Sequence, residues 1–188
     1  GMDGAIRKVH EMAAEQRERY FHANQYDNPA NWQAHYQGTG PEIVQQTQGQ
    51  VTHFVAGMGT SGTLMGVGRY LRHYDPQIQI LGVQPDGPLH GLEGLKHMQT
   101  AILPKIYAPE EVDRTLEVSN EEAYEMVHRL ARRGAPPAGA AARPAAPPSG
   151  QRVSASAAST EKGAGRTGAA AKSRGSRWLA MVRSPPGP

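Results

Sequence analysis

Five small residues in the first third of the chain have the types and spacing that suit a phosphate group. They are Gly59, Thr60, Ser61, Gly62 and Thr63, and they combine glycines, which let a backbone approach a ligand closely, with three hydroxyl donors. If a helix begins here, its first turn adds unpaired N–H groups and the positive end of the helix dipole. The pattern predicts a phosphate site, and the alternative is a tight turn that only satisfies backbone geometry.

The segments around these residues have the periodicities needed to position them. Residues 51–56 form an apolar, β-branched run that predicts a buried strand, and Leu64, Val67 and Leu71 recur at helical spacing. Residues 78–83 predict a second strand. A strand–helix–strand order implies a parallel pair with a right-handed crossover, whose ligands lie outside the carboxyl ends of the strands.

Three kinds of phosphate loop compete for this pattern. A P-loop needs a lysine directly before its Ser or Thr, and here Gly62 precedes Thr63. A dinucleotide loop matches at Gly57, Gly59 and Gly62, but it needs an acid at the end of the next strand, and Asp86 comes late for that role. A cup for the phosphate of pyridoxal phosphate needs dense N–H and hydroxyl donors and no acid, which this loop supplies.

Several further segments resemble one enzyme family. QYDNPAN (25–31), GTGPEI (38–43), GVQP (82–85) and GLEGLK (91–96), together with the glycine loop and in this order, are similar to the second half of a cysteine synthase. Cysteine synthases belong to the fold-type II pyridoxal-phosphate enzymes, as does cystathionine β-synthase. The resemblance covers about residues 3–132.

The resemblance and the periodicities imply an α/β fold, with an open, mostly parallel sheet and flanking helices. This would be part of the tryptophan synthase β-like fold. We expect residues 1–19 to be a remnant of a smaller N-terminal domain and residues 20–133 to be a partial cofactor-binding domain. Residues 134–188 would be a disordered, basic tail.

For function, the resemblance implies a pyridoxal 5′-phosphate enzyme that replaces the β-substituent of O-acetylserine or O-phosphoserine with sulfide to give L-cysteine. The form of the loop and of residues 91–96 favours the B-type, or O-phosphoserine-using, branch. The loop residues would hold the cofactor phosphate, and Gln25 would face the substrate or cofactor edge, with a surface glutamine as the alternative. A homodimer is the expected assembly, with small-molecule substrates and no membrane or nucleic-acid partner.

The resemblance also predicts that this chain alone is inactive. In the family the cofactor is held as a Schiff base by a lysine far upstream of the position of Asp3, and a Ser-Ser-Gly turn that bonds the pyridine nitrogen follows the position of Gly134. The sequence contains neither, so we assign no catalytic residue. Lys96 lies in the wrong segment for that lysine, and we expect it on the surface or facing the substrate. An internal imine absorbance band with sulfide-dependent turnover would contradict this expectation.

The charge of the chain is divided unevenly. The net charge is +3 over 188 residues, but residues 1–131 hold ten basic and sixteen acidic residues, whereas residues 132–188 hold ten basic residues and Glu161 alone. From Gly134 onwards the chain is mostly Ala, Pro, Gly, Ser and Arg, a composition that cannot bury enough apolar surface to order itself. A polyanion-binding arm and a frameshifted reading of a GC-rich gene both account for this tail, and the second is favoured.

Other classes of protein receive little support. The chain has no cysteine, no apolar run long enough to cross a membrane and no signal-peptide pattern, so we expect a soluble, cytoplasmic protein. Its eight histidines show no metal-ligand spacing, so no metal site is predicted.

The remaining elements are predicted from capping and turn residues. Asp3 is expected to cap a first helix, and residues 20–25 to form a short strand. Asn28 followed by proline predicts a helix start, residues 38–40 a stop, and Pro41 a new start.

Two more elements follow. Residues 115–118 alternate like a strand, and Ser119 with Glu122 forms a capping box that opens a last helix. Residues 85–104 have no period, and their glycines suggest a loop lying close to another part of the molecule.

Overall fold

The computed structural model describes residues 2–133 and 179–182, which form one four-stranded sheet with helices packed on it. The helices are α1 (Met2–Glu15), α2 (Ala30–Ala34), a π-helical turn (His35–Thr39), α3 (Gly40–Thr47), α4 (Gly62–Tyr74), a 3-10 turn (Pro109–Glu111) and α5 (Asn120–Arg132). The strands are β1 (His53–Gly57), β2 (Gln79–Pro85), β3 (Arg114–Val118) and β4 (Leu179–Val182).

The sheet is parallel on one side of β1 and antiparallel on the other. Its order is β3-β2-β1-β4, with β1–β2 and β2–β3 parallel and β1–β4 antiparallel. Phe54 pairs in register with Ile80, and both are buried. The predicted α/β class, the open and mostly parallel sheet, and the parallel β1–α4–β2 unit are confirmed. The second strand extends two residues beyond the predicted end.

Helix α4 is the centre of the core because it is covered on two sides. Leu64, Val67 and Leu71 are fully buried, as the predicted apolar face requires. Gly68 lies against Ile80 of the sheet, and Gly66 lies against the backbone of α2 on the opposite side. The glycines allow both neighbours to approach the helix axis closely. Helix α4 is therefore held between β1–β2 and the helical segment 30–47.

That helical segment does not break where the sequence predicted. Residues 30–47 run on as one helix through the π turn, in which the N–H of Gly40 donates to the carbonyl of His35. A π turn inserts one extra residue and leaves one carbonyl without an N–H partner. Pro41, which has no N–H to donate, follows at that point and is accommodated.

Three other predictions at the ends of the chain need correction. Residues 20–25 form turns and irregular backbone rather than a strand, and Phe21 in that stretch is 94% exposed. Helix α1 is already helical at Met2, so Asp3 lies in its first turn instead of capping it. Most of the tail predicted to be disordered lies outside the described residues, but Leu179–Val182 form strand β4.

The later elements follow the sequence closely. Strand β3 covers the predicted residues, and the capping box at the start of α5 has both of its hydrogen bonds. A helix also starts near Asn28, as predicted, but its N-cap residue is Pro29 and its first residue is Ala30, whose N–H donates to Oδ1 of Asn28 at 3.0 Å.

Candidate functional site

The glycine loop leaves the carboxyl end of β1 beside β2. The N–H of Met58 still donates to the carbonyl of Val83 at 2.8 Å, so the sheet ladder continues one residue past the strand. The chain then turns through residues 59–61 and enters α4 at Gly62. This is the edge at which open parallel sheets bind ligands.

The loop has unused main-chain donors. Among the hydrogen bonds between described residues, none has the N–H of Gly59, Thr60, Ser61, Gly62 or Thr63 as its donor. The first hydrogen bond of α4 is made by the N–H of Met65, which donates to the Ser61 carbonyl at 2.9 Å. The amides before it stand at the positive end of a 13-residue helix, where an anion is stabilised.

Ser61 provides an independent indication of a ligand. It is 3% exposed, and its Oγ is buried without a hydrogen-bond partner in the described part of the chain. Its φ of 65° lies in the left-handed region, which costs a non-glycine residue roughly 1 kcal/mol or more. A buried, unpaired hydroxyl on a strained backbone is expensive unless something accepts its proton. The residues present therefore fit a phosphate monoester, which has three acceptor oxygens.

Residues 94–96 lie directly across the loop. The N–H of Lys96 donates to the Met58 carbonyl at 2.8 Å, and a Cβ added to Gly59 would lie 2.5 Å from the Gly94 carbonyl oxygen. The sequence prediction that this glycine-containing stretch lies close to another part of the molecule is confirmed. Only a glycine at position 59 lets the two segments approach this closely.

Lys96 is largely buried, so the surface alternative of the sequence prediction is wrong, and the substrate-facing alternative stays a prediction. Its side chain is 12% exposed, its Nζ lies 3.3 Å from Oδ1 of Asp3, and it stands 5.3 Å from the centre of the Tyr26 ring. Burial lowers the pKa of Lys96, but Tyr26 and Asp3 raise it by more, so the net pKa is above the ordinary value. Lys96 is therefore protonated and connects α1 to the loop region through its ion pair with Asp3. A protonated amine cannot act as a nucleophile.

Asn31 links Gln25 to the loop. Its Nδ2 donates to the main-chain carbonyl of Gln25 at 2.7 Å and to Oγ1 of Thr60 at 3.2 Å. A Cβ at Gly62 would overlap the amide oxygen of Asn31 and lie 2.6 Å from its Cγ. The structure thus brings Gln25 within one side chain of the predicted phosphate donors, and its side chain is exposed. Asn31 therefore holds the loop against the segment that carries Gln25.

His35 is a site residue that the sequence did not single out. It is 3% exposed, with Nδ1 2.9 Å from Oγ1 of Thr39 and Nε2 3.3 Å from Oγ1 of Thr63. Its contact with Thr63 could not be read from the sequence, because Thr63 lies 28 residues away along the chain. Its spacing of four from Asn31 on one helix was the available signal.

The dinucleotide alternative gains one feature from the structure. Since β2 ends at Pro85, Asp86 follows the strand directly and is exposed. Near the end of β2, however, Gln84 is buried, with its Nε2 donating to Gln99 and Glu117 and its Oε1 accepting from the N–H of Met98. This glutamine fastens the loop after β2 to β3.

In residues 2–133 and 179–182, no group of three His, Asp or Glu side chains could hold a metal ion. Across those same ranges, no helix is both long enough and apolar enough to cross a bilayer.

Comparison of the sequence with known proteins identifies the family that the chain matches. Residues 1–160 match the family described as "Pyridoxal-phosphate dependent enzyme". A cysteine synthase of Aquifex aeolicus is 51% identical over 135 residues, which is 72% of this chain and 41% of that protein. Cysteine synthase B of Pseudomonas aeruginosa is 44% identical over 133 residues, 70% of this chain and 43% of that protein.

A solved structure agrees with these relatives. The cysteine synthase of Entamoeba histolytica superposes with a TM-score of 0.69 at 32% identity, covering 77% of this chain and 44% of that one. The chain therefore spans less than half the length of the relatives it matches.

Proposed function

Because the chain belongs to the family of pyridoxal-phosphate dependent enzymes, we propose that its glycine loop holds the phosphate of pyridoxal 5′-phosphate for β-replacement chemistry that produces cysteine. The observation that carries the proposal is the buried hydroxyl of Ser61 beside five main-chain N–H groups, none of which has a partner among the described residues. When bound, the cofactor withdraws electrons from the α-carbon of an amino-acid substrate, so that a β-substituent can leave and sulfide can add.

The residues of the chain act by binding and orientation. The N–H groups of residues 59–63 and the three hydroxyls of Thr60, Ser61 and Thr63 would stabilise a phosphate dianion by hydrogen bonding. Such charge-assisted hydrogen bonds are the strong ones in proteins. Residues 94–96 cover the loop and limit the access of water to it.

The proposed substrates are inferred from the family. We propose O-acetylserine or O-phosphoserine as the amino-acid substrate and sulfide as the second substrate, with Gln25 near the substrate or cofactor edge. The similarity to a cysteine synthase B supports the B-type branch. Cysteine formed from each serine ester in the presence of sulfide measures the preference, and equal rates would remove the support for that branch.

The phosphate cup can be tested without an imine-forming ligand. Pyridoxine 5′-phosphate and pyridoxine have no aldehyde, so the ratio of their affinities for the 188-residue chain isolates the contribution of the phosphate. Two net charge-assisted hydrogen bonds of about 1.5 kcal/mol each predict a preference of roughly 100-fold for the phosphate ester. Equal affinities in isothermal titration calorimetry would refute the proposal.

Ser61→Gly makes the test sharper. Glycine accepts a φ of 65° without strain and removes the unpaired hydroxyl, so the free energy of unfolding should rise by about 1 kcal/mol. The affinity for pyridoxine 5′-phosphate should fall about tenfold, because one charge-assisted donor is lost. Ser119→Ala is the matched control, since it removes a serine hydroxyl from the cap of α5 and should leave the affinity unchanged.

One further titration distinguishes the dinucleotide alternative from the phosphate-cup proposal. It predicts that NAD(H) binds and that Asp86→Asn weakens the binding, because Asp86 would hold the ribose. The phosphate-cup proposal predicts no NAD(H) binding by the chain and no effect of Asp86→Asn on pyridoxine 5′-phosphate.

We also propose a homodimer and a cytoplasmic location, by kinship with the cysteine synthases. The near-complete exposure of Phe21 and Leu89, each 94%, is compatible with a further contact surface. Sedimentation at twice the 20.2 kDa of one chain supports the dimer, and a concentration-independent monomer refutes it. Recovery of the protein in a membrane or secreted fraction would refute the location.

A further inference from the structure

Two polar side chains of one helical segment contact the two threonines of the glycine loop. Asn31 and His35 lie four residues apart, and so on one side of the segment that begins with α2. Asn31 contacts Oγ1 of Thr60 at 3.2 Å, and His35 contacts Oγ1 of Thr63 at 3.3 Å. The helix therefore forms a layer behind the loop, in contact with the hydroxyl groups of its two threonines.

The direction of the first hydrogen bond is fixed by a third group. The side-chain nitrogen of Asn31 also donates to the main-chain carbonyl of Gln25, which can only accept. This determines which end of the amide is the nitrogen, so Thr60 must accept from Asn31. The hydroxyl of Thr60 accepts from Asn31, so its own proton is free to be donated to a ligand at the loop.

The second hydrogen bond depends on the tautomer of His35. With a proton on Nε2, the imidazole donates to Thr63 and accepts the hydroxyl proton of Thr39 at Nδ1, where the separation is 2.9 Å. Thr63 then keeps its own proton for a ligand. With a proton on Nδ1, Thr63 would have to donate to His35 and would be lost as a donor to an anion.

We propose that His35 is a positioning residue: held by Thr39 as the neutral Nε2–H tautomer, it donates to Thr63 and turns the hydroxyl of Thr63 towards the phosphate. The inference rests on the proposed function. It makes the π turn part of the site, because the turn carries both His35 and Thr39. With Asn31 acting in the same way on Thr60, both threonines become obligate donors to the anion.

A double-mutant cycle tests the coupling between His35 and Thr63 in the full chain. The probe is the affinity ratio of pyridoxine 5′-phosphate to pyridoxine, and urea unfolding of each variant reports stability separately. We expect His35→Phe and Thr63→Val each to lower the ratio about tenfold, and the double variant to lower it no further. His35→Gln should keep the ratio within about threefold of the wild type, because its amide nitrogen reaches towards the position of Nε2.

Two further variants separate positioning from packing. Tyr36→Phe is the control, because it removes a hydrogen bond of the same helix, to Nδ1 of His73 at 3.0 Å, that does not face the loop. It should leave the ratio unchanged. Thr39→Val removes the partner of Nδ1 and touches no loop residue, and we expect it to lower the ratio about fivefold or more. Should His35→Phe fail to fold, the cycle is run with Thr39→Val in its place.

The outcomes are distinguishable. If the wild-type chain shows no preference for the phosphate ester, the proposed function fails and the inference falls with it. If the preference is present but the losses from His35→Phe and Thr63→Val simply add, the coupling through His35 is wrong while the proposed function stands. Nitrogen-15 spectra of the labelled histidines should show a protonated Nε2 and an unprotonated Nδ1 at His35, and the reverse pattern would overturn the tautomer assignment.

Discussion

Replacing Gly66 with alanine tests whether the contact between α2 and α4 positions the loop. A Cβ at this position would lie 2.5 Å from the Cβ of His35 and still closer to the main-chain carbonyl oxygen of Trp32. These atoms belong to a packed helix, so no flexible side chain can move aside. Ordinary contact starts at 3.4 Å, so α2 must retreat from α4 by about 1 Å.

A retreat of that size breaks the contacts with the loop. The Asn31–Thr60 and His35–Thr63 hydrogen bonds are already 3.2 and 3.3 Å long, so a further 1 Å takes both beyond hydrogen-bonding distance. Overpacking costs about 1–3 kcal/mol and the two hydrogen bonds about 1 kcal/mol each, while alanine gains about 1 kcal/mol of helix propensity over glycine. The free energy of unfolding should therefore fall by about 3 kcal/mol.

Urea unfolding followed by circular dichroism measures the first effect, and the affinity ratio of pyridoxine 5′-phosphate to pyridoxine measures the second. With a slope of about 2 kcal/mol per molar urea, the midpoint of Gly66→Ala should drop by about 1.5 M. Gly4→Ala, in the open interior of α1 with no atom within 4 Å of the added Cβ, should be neutral or up to about 1 kcal/mol more stable. Wild-type stability and an unchanged affinity ratio in Gly66→Ala would refute the reasoning.

Three further changes have expected outcomes. Ser119→Ala removes the side-chain cap of α5 and should lower the free energy of unfolding by about 1 kcal/mol without changing the affinity ratio, as judged by urea unfolding. The N–H of Ile80 lowers the pKa of Asp113 below its ordinary 3.8, so this carboxylate stabilises the fold above that pH and the benefit is lost as the pH falls through the lowered pKa. Asp113→Asn should therefore flatten the fall of the urea midpoint as the pH drops below about 4, and an unchanged slope would contradict the assignment. Lys96→Met removes the ion pair with Asp3, which still accepts from the N–H of Ile102 at 3.3 Å, and should cost about 1–2 kcal/mol, with faster amide exchange in α1; exchange equal to wild type would show that the ion pair does not hold the helix.

The elements predicted well from sequence are those whose signals are local. Strand β1, the loop and α4 follow from an apolar run, a glycine cluster and a helical period, each confined to about ten residues. The capping box of Ser119 and Glu122 is equally local, and both of its hydrogen bonds form. The resemblance to a cysteine synthase rests on several such segments in order, and the family match over residues 1–160 together with the 51% identity to a cysteine synthase of Aquifex aeolicus confirms it.

The errors arose where distant contacts decide the local structure. Residues 38–40 look like a helix stop, but packing of Gly40 against Tyr70 and the extra residue of the π turn keep the helix continuous. Lys96 looks like a surface residue, but Asp3, 93 positions earlier, neutralises it in a largely buried place.

The candidate site shows the same division. The hydrogen-bond donors of the loop could be identified from sequence because glycine, serine and threonine are the residue types that commonly surround a phosphate. The roles of Asn31 and His35 could not, because each depends on a threonine 28 or 29 residues away that only the packing of α2 on α4 brings near. The phosphate role of the loop and the role of Gln25 remain predictions.

Amide chemical shifts give the most direct test of the phosphate cup. A nitrogen-15-labelled 188-residue chain is titrated with pyridoxine 5′-phosphate and, in parallel, with pyridoxine. The account predicts that the amide protons of residues 59–63 move downfield with the phosphate ester alone, since hydrogen bonding to an anion deshields them. Shifts that are confined to other residues, or that are equal for the two ligands, would contradict it.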